Sequence, residues 1–345
     1  MKNQYVCVDY DWGDPWKNLA WETCLFERVA EASKHGDRLF AAAVWQNDNT
    51  IVIGRNQNPR AECNMDVVRA RNIRIARRIT GGGAVYHDRG NLNFTFCFPR
   101  DFYDVTMTSG IIVDAVRALG IQAELSGRND ILADGRKFSG NAFHTDSHAG
   151  LHHGTILVRS NARNIHDCLT PDKLKFKRPE TASIRSNIVT LAELVPDIAM
   201  DQVKESIETH FCRKISEMIG RSEKLEDDET LIDGARFEEV CQRYSSEEWI
   251  WGEVFPAAAL NGYFPWGKLT LSFFSKDGKV YDCDIATDSL HVEIWRTLKT
   301  ALTGKDYAMK PLLQEVERAI ASAENEELAG VLRDVFQFMK NSALP

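Results

Sequence analysis

Two stretches of the chain carry residue types that could act on an anionic substrate. The first is Arg77-Arg78-Ile79-Thr80-Gly81-Gly82-Gly83-Ala84-Val85-Tyr86-His87-Asp88. Successive glycines let a backbone turn tightly and bring its N–H groups against a ligand's oxygens, and a guanidinium just before them can add a bidentate contact to phosphate or carboxylate. The segment lacks the Gly-Lys-Ser/Thr of a Walker loop and the spacing of a dinucleotide fingerprint. It reads either as a phosphate cradle or as a glycine-rich hairpin turn between a strand ending at Arg78 and one starting at Ala84. The second stretch is Ser126-Gly127-Arg128-Asn129-Asp130 followed by Gly135-Arg136-Lys137-Phe138-Ser139-Gly140-Asn141-Ala142. Lys137 stands between Arg136 and an apolar-then-small run, which suits a partly buried ammonium bridging a carboxylate and a phosphate. The alternative is a solvated hairpin turning at Asp134-Gly135.

Other candidates are weaker. His144, His148, His152 and His153 include pairs four apart, but the residues between them read as loop and no acidic or cysteine partner falls at zincin spacing, so no protein-held metal is expected. No GxSxG elbow is present. The eight cysteines are scattered without a CxxC pair, as reduced structural thiols are. Cys168, in His166-Asp167-Cys168-Leu169, alone has neighbours that could generate a thiolate.

These residues need elements to hold them. Asp14-Pro15 is a helix start, with the acid as N-cap and the proline where its missing N–H is harmless; Leu19, Cys24, Phe26 and Val29 then ride a helix. Residues 39–45, 50–53 and 73–76 read as extended. Leu92, Phe94, Phe96 and Phe98 alternate with Asn93, Thr95 and Cys97, the period of a strand with one buried face. Ile111, Ile112, Ala115, Val116 and Leu119 repeat at helical spacing up to Gly120, and residues 154–158 form another strand. Strands clustered around occasional helices favour an α+β fold with a mixed or mainly antiparallel sheet over strict β-α alternation. The acidic run within 221–233 reads as a solvated loop or linker edge, and residues 237–244 as a last helix. The boundary is placed near Ser246, giving domains 1–246 and 247–345. In the second, Asp277-Gly278 marks a hairpin and helical patterns cover 312–320 and 330–339.

The 345 residues exceed what one core usually supports. A hydrophobic fraction of 43% excludes wholesale disorder, and the net charge of −8 argues against nucleic acid as a main partner. The longest apolar run, 39–45, is far short of the ~20 residues that span a bilayer. The acidic N-terminus lacks signal and transit features, so a cytoplasmic chain is expected.

Taken together, Pro15-Trp16-Lys17-Asn18-Leu19-Ala20, Val52-Ile53-Gly54-Arg55-Asn56-Gln57-Asn58-Pro59, the Arg77–Asp88 segment, Gly90-Asn91, Ser126 to Asp130, Arg136 to Gly140 and His152-His153-Gly154-Thr155 resemble lipoate-protein ligase A, in order. Trp266-Gly267 and Thr287-Asp288-Ser289-Leu290 resemble the accessory C-terminal domain of its long form. The resemblance implies a biotin/lipoate ligase-like catalytic domain around a mainly antiparallel sheet, with a small α+β accessory domain. It implies two half-reactions: lipoate and ATP give lipoyl-AMP and pyrophosphate, and a lysine of an acceptor lipoyl domain then takes the lipoyl group. By similarity, Lys137 contacts both the lipoate carboxylate and the α-phosphate. Arg78, Gly83, Ala84, Val85 and Tyr86 match ATP-binding positions, and Arg78, Leu19 and His87 belong with Lys137 at the lipoate. Mg2+ is expected with ATP. The acceptors implied are the lipoyl domains of 2-oxoacid dehydrogenase E2 subunits and the glycine-cleavage H protein, for which Lys173, Lys175, Lys177 and Arg178 form a candidate docking patch. Asn187 stands where the family usually has a second arginine. A lipoyl- or octanoyltransferase using a pre-activated acyl donor is the alternative within the superfamily, and a non-catalytic carrier the alternative outside it.

Overall fold

Asp14 accepts hydrogen bonds from the amides of Trp16 and Lys17, Pro15 takes the first helical position, and helix α1 runs Pro15–Lys34. The computed structural model describes all residues except 1, 56, 58, 127–129, 162–166, 170–187, 227–229, 252–257, 277, 288–292 and 343–345. Two compact units are found, Met1–Trp251 and Gly252–Pro345.

In the first unit, the strands are β1 (Asn3–Tyr10), β2 (Arg38–Trp45), β3 (Thr50–Ile53), β4 (Arg74–Arg77), β5 (Val85–His87), β6 (Asn91–Pro99), β7 (Ala123–Leu125), β8 (Asp130–Ala133), β9 (Arg136–Thr145), β10 (Ala149–Leu157) and β11 (Glu223–Lys224). Eight of them form one sheet in the order β11-β1-β2-β6-β10-β9-β8-β7. β1 is parallel to β11 and β2, and the other pairs are antiparallel. A smaller sheet has the order β4-β3-β5. The architecture is α+β, with a large, mainly antiparallel sheet.

β6 departs from its alternation. All nine of its residues are buried, not one face, because helices cover both sides of this central strand. Cys97 and its neighbours Ala149 and Leu151 pack beneath α1, whereas Phe96 stacks on Phe211 at 5.6 Å between ring centres. Phe211 belongs to α3 (Met200–Ile219), which lies beside α2 (Val105–Ala118). The polar residues that α1 covers on β6 and β10 are therefore committed to one another, as shown below. The strand read at 154–158 begins earlier, at Ala149, and contains His152 and His153.

Helix α4 (Gly234–Ser245) packs on α1. A short helix, α5 (Glu247–Trp251), follows and belongs to the first unit, although composition placed it in the second. Its Trp249 stacks on Tyr244 at 5.1 Å and donates its indole N–H to the Arg77 carbonyl.

The second unit is an antiparallel meander of β12 (Ala258–Phe264), β13 (Gly267–Lys276) and β14 (Lys279–Thr287), with helices α6 (Glu293–Leu302), α7 (Met309–Ala321) and α8 (Glu326–Lys340). Leu269, Leu271, Phe273, Leu312, Val335 and Met339 are among the residues of its own core. Among the described residues, no helix is long and apolar enough to cross a membrane.

Candidate active site

β4 and β5 both flank β3, so the glycine segment joining them is no hairpin turn: it crosses over the end of β3. That crossing is tight. A Cβ on Gly54, just after β3, would sit 2.3 Å from the Gly82 carbonyl oxygen, so only glycine admits this backbone approach. Arg78 lies beneath the segment and is 6% exposed. Its Nη2 donates to the Gly81 and Gly83 carbonyls at 2.6 and 2.8 Å, its Nε to Thr80 Oγ1 at 2.9 Å, and its Nη1 to the Val52 carbonyl at 3.2 Å. The Thr80 carbonyl accepts from the Arg55 amide. Among the described residues every peptide bond is trans, so C=O and the following N–H point opposite ways. Fixing the carbonyls of Gly81 and Gly83 on Arg78 therefore turns the amides of Gly82 and Ala84 away from it, and the amides of Gly81, Gly82 and Ala84 bond to no other described residue. Unbonded amides on a glycine-rich segment make a candidate anion site.

Charge reinforces it. Arg77 is also buried, and its guanidinium donates to the carbonyls of Gly54, Arg55, Gln57, Trp249 and Ile250. Burial pushes both guanidiniums down to about 10, which leaves them cationic at neutral pH. Two adjacent buried cations whose described partners are neutral oxygens create a positive field that an anion on the amide side would offset.

A buried chain anchors the segment to the sheet. Thr80 Oγ1 meets His153 Nε2 at 2.8 Å, and His153 Nδ1 lies 2.8 and 2.9 Å from the two Glu22 oxygens. Thr95 Oγ1 donates to Glu22 at 2.5 Å and accepts from Trp45 Nε1. His153 Nδ1 presents an N–H to the carboxylate, and the Thr80 hydroxyl that meets Nε2 accepts from Arg78 Nε. The chain ties the glycine segment, α1, β6 and β10 together.

Lys137 is placed by a bulge. Ile131 pairs with Ser139 but Leu132 pairs with Lys137, so Phe138 is the extra residue and the strand's facing shifts there. The β8–β9 connection turns at Asp134 and Gly135, both at positive φ, so the hairpin foreseen at this dipeptide is present. The Lys137 side chain is 31% exposed, and its amine lies 2.7 Å from Asp130 Oδ1. A Cβ on Gly140 would meet its Cε and Nζ at 3.1 Å and Thr155 Oγ1 at 3.7 Å. Thr155 follows His153 by two on β10, so the ammonium shares a sheet face with the chain that holds the glycine segment.

Other expected residues fall in different places. His87 is 3% exposed, and its imidazole is pushed down to about 3, by burial first and then by Arg78 and His153. The Trp12 amide donates to Asn18 Oδ1, Asn18 Nδ2 to Asn47 Oδ1, and Asn47 Nδ2 to His87 Nδ1. His87 Nε2 therefore carries the proton, and this buried donor has no described acceptor. Leu19 is a core residue on the buried face of α1. Val85 pairs with Val52, and Tyr86 turns its phenol away to Asn49 while packing in the small sheet's core. Cys168 is fully buried in that same core and burial raises its thiol, so it lacks the setting of a nucleophile. His152 is committed to Thr108 and Asn141. Gly127–Asn129, the 173–178 basic patch and Asn187 lie outside the described residues.

The sequence reading missed Glu22, Thr80, Asp130 and Gly54 as working parts. A buried glutamate on an otherwise apolar helix face was the available signal for Glu22.

Residues 14–212, more than half of the chain, match the family model of the lipoyl protein ligase A/B catalytic domain, and residues 258–332 match the bacterial lipoate protein ligase C-terminus. P. falciparum LipL1, solved in complex with lipoate, is 24% identical over 96% of this chain and 99% of that one, with a TM-score of 0.73. A lipoate-protein ligase A solved with ATP is 25% identical over 73% of this chain and 99% of that one, with a TM-score of 0.56. A bipartite lipoate protein ligase of Thermoplasma acidophilum, described with its E2 lipoyl domain, is 25% identical over 73% and 97%, with a TM-score of 0.58. The glycine segment over buried arginines and the half-buried lysine are thus carried by a domain whose family both matches agree upon: this chain belongs to the lipoate-protein ligases.

Proposed function

We propose that the chain is an ATP-dependent ligase that first joins free lipoate to AMP and then transfers the lipoyl group to a lysine of an acceptor lipoyl domain. The observation that supports this reading is that Thr80 ties the glycine segment to His153 on β10, two residues before Thr155, on whose face the Lys137 ammonium lies. In the first step a lipoate carboxylate oxygen attacks the α-phosphorus of ATP; a P–O bond forms and the bond to pyrophosphate breaks. Two anions must approach, so a cation between them offsets repulsion and the charge growing on the phosphoryl oxygens. An ammonium has three donors; one goes to Asp130 and two remain for carboxylate and phosphate. Lys137 need not act as a base. Arg78, Gly83, Ala84, Val85 and Tyr86 serve the nucleotide through the segment's backbone, with Arg78 fixing its shape and supplying charge from beneath. Lys137 and His87, through its Nε2–H, serve the lipoate head, with Leu19 lining the apolar side. In the second step the acceptor amine attacks the acyl carbon and AMP leaves.

The relatives' bound lipoate and ATP, and the E2 lipoyl domain named with one of them, support these substrates and the E2 lipoyl domains as acceptors; the H protein is proposed as a further acceptor on the sequence resemblance. The carboxylates around the site are engaged: Asp130 with Lys137, Asp88 with the amides of Gly90 and Asn161, Glu22 with His153. They assemble no ligand set for Mg2+ among the described residues, so no step is routed through that ion. A pyrophosphate-release assay with lipoate and ATP, without acceptor, tests the reading. Turnover supports it; no turnover together with transfer from supplied lipoyl-AMP would assign the chain to the transferases instead.

A further inference from the structure

We infer that Cys7, Cys212 and Glu208 form a binding site for a thiophilic divalent cation of the zinc type, on the sheet face opposite the candidate active site. Along β1, Val6, Val8 and Tyr10 point into the core under α1, so Cys7 points to the other face, toward α3. There Cys212 and Glu208 stand four residues apart on one side of α3. The two sulfurs are 3.7 Å apart, and the three ligand atoms all lie within 4.8 Å of one another.

That spacing suits the ion. Thiolate–zinc bonds of about 2.3 Å at the tetrahedral angle place two sulfurs about 3.8 Å apart, so the pair can chelate without moving either element. A disulfide would instead require the sulfurs to close to about 2.05 Å. Two thiolates and a carboxylate with one open position leave the fourth ligand to solvent, which reaches the exposed Glu208 directly. Lys224 Nζ is 2.9 Å from one oxygen of Glu208. A carboxylate has two oxygens, so this contact is compatible with a metal bond; Lys224 would orient the ligand and balance the one excess negative charge of a zinc-bound Cys-Cys-Glu set. A cavity of about 210 Å3, lined by Cys7, Glu208, Asp9 and Lys204 among others, gives an ion a route in. The ion would clamp α3 to β1.

The test uses the full chain, reduced and freed of metal by chelation, titrated with Co2+ and then Zn2+. One equivalent of Co2+ should produce a thiolate charge-transfer band with the intense visible bands of a tetrahedral centre, displaced by Zn2+. Cys7→Ser and Cys212→Ser should abolish the band, and Glu208→Gln, at an exposed position, should weaken binding about tenfold or more. Zn2+ should raise the thermal midpoint of the wild type and not of Cys212→Ser. Absence of the band in the wild type, its survival in the Cys7→Ser/Cys212→Ser double variant, unchanged affinity in Glu208→Gln, or oxidation of the pair to a disulfide in place of ion uptake would each overturn the site. None of these readouts depends on ligase activity.

Discussion

At the scale of single residues the account rests on charges held where solvent cannot neutralise them. Removing the ammonium in Lys137→Ala should lower the rate of adenylation about a hundredfold or more, the range for a preorganised electrostatic contact. Because the side chain is about a third exposed, the thermal midpoint should hardly move; stopped-flow pyrophosphate release beside calorimetry separates the two. Thr80→Val keeps the shape but removes the hydroxyl between Arg78 Nε and His153 Nε2. It should cost about 1–3 kcal/mol of stability and raise the KM for ATP, with Thr80→Ser restoring both; an unchanged KM would mean that the chain supports the fold without shaping the cradle. His87 adds a pH dependence. The folded chain keeps it neutral down to about 3, against 6.5 for an ordinary histidine. Between those values the unfolded chain binds the extra proton, so stability is full above about 6.5 and falls as pH is lowered toward about 3. Denaturation midpoints across that window should fall less steeply in His87→Gln than in the wild type. Lys137 and Arg78 were legible because charge beside glycine is conspicuous in a sequence. Glu22 and Thr80 were not, because their importance lies in partners 131 and 73 residues away along the chain.

Elements set which of these charges meet. The glycine run alone was compatible with a hairpin, and only the sheet order β4-β3-β5 makes it a crossover. Gly54→Ala tests that packing: a methyl 2.3 Å from the Gly82 oxygen must displace the segment. Nucleotide affinity, read by equilibrium binding, should drop more than tenfold while the circular dichroism spectrum is retained; wild-type affinity would show that the approach of Gly54 to Gly82 does not matter. The alternation along β6 identifies a strand but implies one exposed face, which the structure does not have. Period-2 alternation counts Asn93, Thr95 and Cys97 as outward, yet a central strand covered on both sides buries them with hydrogen-bond partners or, for Cys97, with apolar neighbours. The Phe138 bulge that faces Lys137 left no periodic signature, since one extra residue in a short strand is invisible to alternation.

For the molecule as a whole, a core confined to the second unit and a division after Trp251 bear on where the chain can be cut. A chain ending at residue 246 loses α5, whose Trp249 and Ile250 carbonyls accept from the buried Arg77 guanidinium. It should unfold at a clearly lower temperature than one ending at 251, and equal midpoints would show that α5 is dispensable to the first unit. Composition located the aromatic cluster around Trp249 but could not show which unit Trp249 packs on, because stacking on Tyr244 is a contact, not a pattern. The central claim is that one ammonium joins a carboxylate and a phosphate above a cradle of amides, and the most direct measurement is pyrophosphate release from ATP with free lipoate and no acceptor. The wild type should turn over and Lys137→Ala should fall about a hundredfold; equal rates in the two proteins would contradict the account.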